Sequence, residues 1–78
     1  MTLLNSTPAV GIVGVGNMGG AIARRLLQLG FSVHVHDIDP DKTTALEKLG
    51  AVVHSNAASL SDQARTVIVC VVEIGRAH

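Results

Sequence analysis

The sequence predicts an α/β fold in which helices cover a parallel β-sheet. Short β-branched runs alternate with helical patterns, in the order β-α-β-α-β-α-β. Apolar residues make up 47% of the chain, and Phe31 is the only aromatic residue, so the core must be built from aliphatic side chains. That composition is typical of a buried parallel sheet. The connections between the runs are short, which requires parallel strands joined by right-handed crossovers.

A strand and a helix open the pattern. The β-branched and small residues of Ala9–Val13, directly after Pro8, predict the first strand. Four apolar residues then recur at spacings of four, four and three, which places them on one face of a helix over residues 18–29. They are Met18, Ile22, Leu26 and Leu29. Gly30 follows at the position of a helix C-cap and ends this helix.

The same pattern is repeated in the middle of the chain. Residues Ser32–His36 predict the second strand, Asp39 is a typical helix N-cap, and Pro40 fits the first position of a helix. The predicted buried stripe of this second helix consists of Ala45, Leu46 and Leu49. Gly50 ends the helix, and residues 51–54 predict a short third strand.

A last helix and strand complete the order. Ser55 or Asn56 can cap a brief helix that extends to Gln63, and residues 66–72 form a continuous β-branched run suited to a fully buried fourth strand. In a doubly wound arrangement the strands take the order 3-2-1-4, with the switch point of the sheet between strands 1 and 4. The sequence therefore predicts a three-layer, Rossmann-like half-fold that is truncated after its fourth strand.

A glycine-rich turn lies between the first strand and the first helix. It reads Gly14-Val15-Gly16-Asn17-Met18-Gly19, the spacing of a dinucleotide-binding turn. Gly14 would let the chain turn sharply, Gly16 would leave room for a pyrophosphate, and Gly19 would let the helix pack closely on the strand. The helix offers free N–H groups and a positive dipole end to the diphosphate, so the turn itself needs no basic side chain.

An acidic residue after the second strand predicts which dinucleotide is bound. Asp37 follows Gly19 by 18 residues and could accept hydrogen bonds from both hydroxyls of an adenosine ribose. A 2′-phosphate at that place would meet a carboxylate, so NAD is favoured and NADP is the alternative. No arginine is near in sequence, and Lys42 is the only cation within reach. The alternative reading of Asp37 is a solvated turn residue, and Asp39 and Asp41 suit the amino end of a helix.

Composition and charge argue against other classes of partner. Six basic and six acidic residues cancel without forming a basic patch, which argues against nucleic acid and anionic membranes, and no apolar stretch is long enough to span a bilayer. Cys70 is alone, so no disulfide can form within the chain, and a cytoplasmic location is expected. His34 and His36 share one face of a strand, but no carboxylate or cysteine pattern completes a metal site around them. We expect them to be packing residues and expect no bound metal.

The glycine turn and the helix after it resemble the β-hydroxyacid dehydrogenase family, which includes 3-hydroxyisobutyrate and L-threonate dehydrogenases and, more distantly, 6-phosphogluconate dehydrogenase. The resemblance is carried by residues 14–27, which read GVGNMGGAIARRLL, and above all by the Asn-Met-Gly of the turn. It covers nearly all of residues 9–72. The resemblance implies hydride transfer between a nicotinamide cofactor and a small β-hydroxyacid, in an enzyme that is a homo-oligomer.

The resemblance also implies where the remaining site residues lie. A family loop after the fourth strand, usually Leu-Pro, touches the cofactor, and its matching positions here are Val71 and Val72. The family's substrate-binding segment and its catalytic lysine lie downstream of that strand. We therefore expect this chain to contain no catalytic residue and to turn over no substrate. Two alternatives stay open: a non-enzymatic nucleotide-binding module, and a part of another Rossmann reductase, of the pyrroline-carboxylate type.

The two ends of the chain differ from its middle. Residues 1–8 are expected to form a disordered lead, and residues 9–72 a partial NAD(P)-binding domain. Residues 73–78 read EIGRAH, which is the translation of the opening bases of a widely used sequencing adapter, so this tail is expected to be non-native. A half-sheet would leave the outer edge of its fourth strand uncovered, and we expect marginal stability or aggregation of the 78-residue chain.

Overall fold

A computed structural model of the chain describes residues 8–70. The element order is the predicted one: β1 (Ala9–Val13), α1 (Asn17–Gln28), β2 (Ser32–His36), α2 (Pro40–Lys48), β3 (Val52–Val53), α3 (Ala57–Gln63) and β4 (Thr66–Val69). The sheet order β3-β2-β1-β4, with all three pairings parallel, confirms the predicted fold class. Val71, Val72, the tail 73–78 and all but the last residue of the predicted lead lie outside the described residues.

The main core lies on one face of the sheet. Val10 and Ile12 of β1 are in register with Val33 and Val35 of β2, and all four side chains are buried. Ala23 of α1 and Leu46 of α2 belong to the same buried cluster. Because alternate residues of a strand face the same side, these four positions give the sheet a continuous aliphatic face for the two helices.

The third helix covers the opposite face of the sheet. Gly11, on β1, has no side chain, and a Cβ atom added there would overlap with the side chain of Leu60 in α3. Leu60 is fully buried, and α3 packs on β1 and β2. The glycine in the central strand thus lets α3 lie close to the sheet, and the three layers α1/α2, sheet and α3 are complete.

The predicted apolar face of α1 is covered only in its middle. Met18 is 70% exposed and Leu29, the C-cap residue, is 56% exposed, so the two ends of this face lie in solvent. The buried residues are instead Gly19, Gly20 and Ala23, with Ile22 and Leu26 half-buried. The two glycines let the helix backbone approach the turn before it, so the contact centres on small residues and the larger Met18 lies outside it.

The buried face of α2 is narrower than predicted. Leu46 is buried, but Ala45 is exposed and Leu49, the C-cap residue, is 56% exposed, so the predicted stripe was wrong at these two positions. Thr43 takes the second buried place, and its hydroxyl donates to the carbonyl of Pro40 at 2.9 Å. This hydrogen bond satisfies the buried hydroxyl, which is why a polar residue is tolerated there.

The outer strands are shorter than predicted. β3 contains two residues instead of four, and β4 ends at Val69, with Cys70 outside the strand. The prediction that β4 is fully buried was wrong for the described part: Val67 and Val69 are exposed and Ile68 is half-buried. Among the strands of residues 8–70, β4 pairs only with β1, and α3 packs mainly on β1 and β2.

Candidate functional site

The turn between β1 and α1 is built on a left-handed glycine. Gly14 has a φ of 91°, which residues with a side chain rarely adopt, and its N–H donates to the carbonyl of His36 at 2.8 Å. A Cβ atom at this position would also overlap with the carbonyl oxygen of Cys70, after β4. The carboxyl ends of β1, β2 and β4 therefore meet at Gly14.

The first turn of α1 rests directly on this glycine. A Cβ atom added to Gly19 would overlap with the carbonyl oxygen of Gly14 and lie 3.4 Å from the Cβ of Cys70. Gly16 is the N-cap residue of α1, and no side chain caps the free N–H groups of this helix end. No acidic residue lies in the first turn either, so the amino end of α1 keeps its capacity to bind an anion.

The space above Gly16 is open. Apart from the adjacent residues and the backbone of its own helix, a Cβ atom at Gly16 would have one neighbour within 4 Å, the Nζ of Lys42, at 4.0 Å. The three motif glycines therefore differ in kind, because Gly14 and Gly19 are required by contacts within the fold and Gly16 is not. An open position beside free N–H groups is the arrangement that lets a diphosphate approach the backbone.

Asp37 connects the end of β2 to the turn. Its Oδ2 accepts from the N–H of Val15 at 2.8 Å, and its Oδ1 accepts from the N–H of Asp39 at 2.9 Å. Burial alone would raise the pKa of Asp37, but these two backbone hydrogen bonds and the charges of Lys42 and His36 outweigh it and lower the pKa below 3.8. The side chain is a half-buried carboxylate with both oxygens bonded to backbone N–H groups.

Two cavities flank the turn. The larger, of about 540 Å³, lies at the carboxyl ends of β1 and β2, and its lining includes Gly14, Gly16, His36, Asp37, Ile38 and Lys42. The smaller, of about 410 Å³, lies between α1 and α2, and its lining includes Val15, Gly16, Asn17, Arg24, Asp41 and Lys42. The larger cavity joins the glycine turn to the Asp37 carboxylate, at the place where open α/β sheets bind their ligands.

The structure brings most of the predicted site residues together. Gly14, Gly16 and Asp37 line the larger cavity, whereas Asn17 lines the smaller one and Met18 projects into solvent. Val15 contributes its N–H to Asp37 and lines the smaller cavity with its neighbour Gly16.

Lys42, which the sequence singles out only as the one cation within reach of Asp37, lines both cavities. The signal that could have found it is the Asp39-Pro40 helix start, because the first turn of α2 then lies at the same edge of the sheet as the glycine turn.

The histidines form a hydrogen-bonded group beside the site. His34 Nδ1 lies 2.8 Å from His54 Nε2, His54 Nδ1 lies 2.8 Å from the Ser59 hydroxyl, and His36 Nδ1 lies 2.9 Å from the His54 carbonyl oxygen. Within residues 8–70 no group of three or more histidine, cysteine or acidic residues is arranged to hold a metal ion. In the same part of the chain, every helix is too short or too polar to cross a membrane.

Comparisons with known proteins agree with this geometry. A family model described as the NAD binding domain of 6-phosphogluconate dehydrogenase matches residues 9–77. Mitochondrial 3-hydroxyisobutyrate dehydrogenase from Rattus norvegicus is 31% identical over 67 residues, which are 86% of this chain and 20% of that protein. The chain thus spans about a fifth of the length of this curated relative.

Solved structures of imine reductases are also similar. A variant of the imine reductase from Myxococcus stipitatus, in complex with NAD+, has a TM-score of 0.84 at 25% identity, covering 88% of this chain and 24% of that one. An imine reductase from the same organism in complex with NADP+ has a TM-score of 0.82 at 27% identity, covering 85% of this chain and 23% of that one. The similar structures therefore include complexes with both nicotinamide dinucleotides.

Proposed function

Because the chain belongs to the family of the NAD-binding domain of 6-phosphogluconate dehydrogenase, we propose that its larger cavity holds a nicotinamide dinucleotide and prefers NAD to NADP. The observation that carries the proposal is the open Gly16 position and the free amino end of α1 beside the Asp37 carboxylate. The diphosphate would lie over Gly16 and the adenosine ribose beside Asp37.

The NAD preference rests on the charge beside the ribose. Asp37 is ionised at neutral pH, and its two oxygens use one acceptor site each for the backbone, which leaves acceptor sites for ribose hydroxyls. A 2′-phosphate in the same place would carry its negative charge against this carboxylate. Asp39 adds further negative charge to the lining of the larger cavity, which has no arginine among its described lining residues.

The activity of the whole protein is a second step of the proposal. We place the chain in an enzyme that transfers hydride between the nicotinamide and a small β-hydroxyacid, which its similarity to 3-hydroxyisobutyrate dehydrogenase supports. A homo-oligomeric enzyme and a cytoplasmic location, the latter suggested by the lone Cys70, complete this proposal.

The imine reductases supply a second candidate substrate class. Their similarity to this chain favours reduction of a C=N bond as the alternative reaction, in line with a reductase of the pyrroline-carboxylate type. Assays of a longer protein that contains this sequence, with β-hydroxyacids and NAD or with cyclic imines and NADH, would separate the two reactions.

Calorimetric titration of the chain with NADH and NADPH tests cofactor binding and preference. We expect NADH to bind about fivefold more tightly, because one close carboxylate–phosphate repulsion is worth roughly 1 kcal/mol at an exposed site. Asp37→Asn should reduce this difference, whereas Asp62→Asn, which removes an exposed carboxylate from α3, should leave it unchanged. Tighter binding of NADPH by the unmodified chain would refute the NAD preference, and binding of neither dinucleotide would refute the proposed function.

A further inference from the structure

We propose that Ser59, on α3, is a nucleophile that takes an acyl group from activated esters, with His54 as its base and His34 as the residue that positions the base. The Ser59 oxygen would bond to the acyl carbon, and the bond from that carbon to the leaving oxygen would break. The Ser59 proton would pass to Nδ1 of His54, and the leaving group would depart as its anion. None of the three side chains is among the described lining residues of the two cavities, so this modification site does not depend on dinucleotide binding.

Two hydrogen bonds join the three side chains in a row. The Ser59 hydroxyl lies 2.8 Å from Nδ1 of His54, and Nε2 of the same ring lies 2.8 Å from Nδ1 of His34. When Ser59 donates to His54, the second ring nitrogen of His54 carries the proton and donates to His34, so neutral rings form both bonds. A hydroxyl bonded to a base that a third group orients is the arrangement that activates serine for acyl transfer.

The backbone holds the nucleophile and the base in place. The N–H of Ser59 donates to Oδ1 of Asn56 at 2.8 Å. The N–H of His54 donates to the carbonyl of Val35 at 2.8 Å, and its own carbonyl oxygen lies 2.9 Å from Nδ1 of His36. Because both backbones are fixed, the hydroxyl and the ring nitrogen stay within reach of each other.

The burial of the three residues suits this chemistry. Ser59 is exposed and can meet a reagent from solvent, whereas His34 and His54 are half-buried. Partial burial and the charge of His54 lower the pKa of His34 below 6.5, so His34 is neutral at neutral pH. It can therefore accept a hydrogen bond from His54 after that ring has taken up the Ser59 proton.

Ser59 differs from other exposed hydroxyl groups of residues 8–70. The hydroxyl of Thr44 donates to the carbonyl of Pro40 at 3.0 Å, and a carbonyl does not act as a base. Ser61, two residues after Ser59 in the same helix, is also exposed. Among the serines of the described range, Ser59 is the one whose hydroxyl lies within hydrogen-bond distance of a histidine, which makes Ser61 the matched internal control.

Acetylation of the full chain by p-nitrophenyl acetate at about pH 7.5 tests the proposal. After an acid quench, peptide mapping by mass spectrometry measures the rate of acetylation at each serine. We expect Ser59 to react about 100-fold faster than Ser61, the gain that a positioned base typically supplies. Similar rates at the two serines of the unmodified chain would overturn the proposal without the need for any variant.

Variants of the two histidines separate their roles. We expect His54→Gln to slow acetylation of Ser59 about 100-fold and to leave the Ser61 rate unchanged. His34→Leu removes the acceptor and should slow Ser59 about tenfold, the value of one hydrogen bond to a charged ring, whereas His34→Gln keeps an acceptor and should retain most of the rate. An unchanged Ser59 rate in His54→Gln would overturn the role of the base. Equal rates in His34→Leu and His34→Gln would overturn the positioning role, and circular dichroism checks that each variant is folded.

Discussion

At the scale of single residues, the glycines of one motif obey different constraints. Gly14 is fixed by its left-handed backbone and by the carbonyl of Cys70, and Gly19 by the carbonyl of Gly14. Gly16 meets only the end of a flexible lysine side chain. One motif thus combines two positions that the fold requires with one position that the fold leaves open, and substitution by alanine should separate the two kinds.

Gly16→Ala and Gly19→Ala are expected to have opposite effects. Gly16→Ala should change the free energy of unfolding by less than about 0.5 kcal/mol, because the position is open. It should lower NADH affinity by about tenfold or more, because the new methyl group would occupy the proposed diphosphate position. Gly19→Ala should lower the free energy of unfolding by about 1–3 kcal/mol, because the methyl group overlaps with backbone that cannot move aside easily. Urea unfolding and calorimetric titration measure both. Full NADH affinity in Gly16→Ala would contradict the assignment of the diphosphate.

The residue scale also shows what sequence could predict of the site. The glycine turn and Asp37 were found because the motif specifies residue types at fixed spacings. Two contacts of the site could not be predicted from neighbouring residues in the sequence. Val15 and Asp37 are 22 residues apart, and His34 and His54 are 20 residues apart. Each pair meets only through the register of the sheet. The position of Lys42 over Gly16 likewise depends on how α2 packs beside α1.

At the scale of elements, a chain of hydrogen bonds connects β2, the end of β3 and α3. It runs from the His34 ring to the His54 ring and on to the Ser59 hydroxyl. Asn56 caps α3 by accepting from the N–H of Ser59, so the same residue of α3 is held by its backbone and by its side chain. These bonds help to hold a helix of seven residues, which would be marginal by itself, in place on the sheet.

The stability of this arrangement should depend on pH through His34. Partial burial and the charge of His54 lower the pKa of His34 below 6.5, so the unfolded chain binds this proton more readily than the folded one. The stabilisation is therefore fully present above about pH 7 and is lost as the pH falls through 6.5 toward the lowered pKa. We expect the thermal midpoint to drop by a few degrees between pH 7.5 and 5.0.

The variant His34→Gln provides the check on this pH dependence. Glutamine can still hydrogen-bond to His54 but does not titrate. The thermal midpoint of the His34→Gln variant should therefore depend less on pH between 7.5 and 5.0. His36→Gln, which changes the neighbouring histidine on the same face of β2, serves as the control. An equally large drop in His34→Gln would place the titrating group elsewhere.

Helix faces were the least predictable part of the elements. Apolar periodicity placed Met18, Leu29 and Leu49 on the apolar faces of helices. Met18, however, lies where α1 leaves the glycine turn, and Leu29 and Leu49 are C-cap residues beyond the last helical turn. The buried positions Gly19, Gly20 and Thr43 carry little or no apolar side chain, so periodicity gives them no weight. By contrast, β1 and β2 were predicted to the residue because bounding proline and glycine residues delimit them clearly.

At the scale of the whole molecule, the described sheet is covered unevenly. Two helices protect the face with Ile12 and Val35, and α3 protects the middle of the other face. On that second face Val67 and Val69 of β4 are in register with Gly11 and Val13, yet they lie 38% and 62% exposed. Such an apolar edge favours association between copies and limits the stability of the chain.

Replacing the exposed valines should separate association from stability. Val67→Thr with Val69→Thr keeps the β-branched shape, so we expect weaker self-association in sedimentation velocity with little change in the thermal midpoint. Ile68→Thr, at a half-buried position packed against the core, should instead lower the midpoint. We expect the unmodified chain to melt below about 50 °C or to aggregate, and a cooperative, monomeric melt well above that temperature would contradict this expectation.

Gly11 determines how thick the molecule is at its centre. Leu60 occupies the volume that a Cβ atom would need, so we expect one added methyl group to displace Leu60 and the part of α3 around it. Ser59, one residue before Leu60, would then draw away from the His54 ring. The backbone carbonyl oxygen of His54 lies 2.9 Å from Nδ1 of His36, which lines the larger cavity. We therefore expect a change of one hydrogen to one methyl group in the central strand to reshape this cavity from behind, although Gly11 is not among its described lining residues.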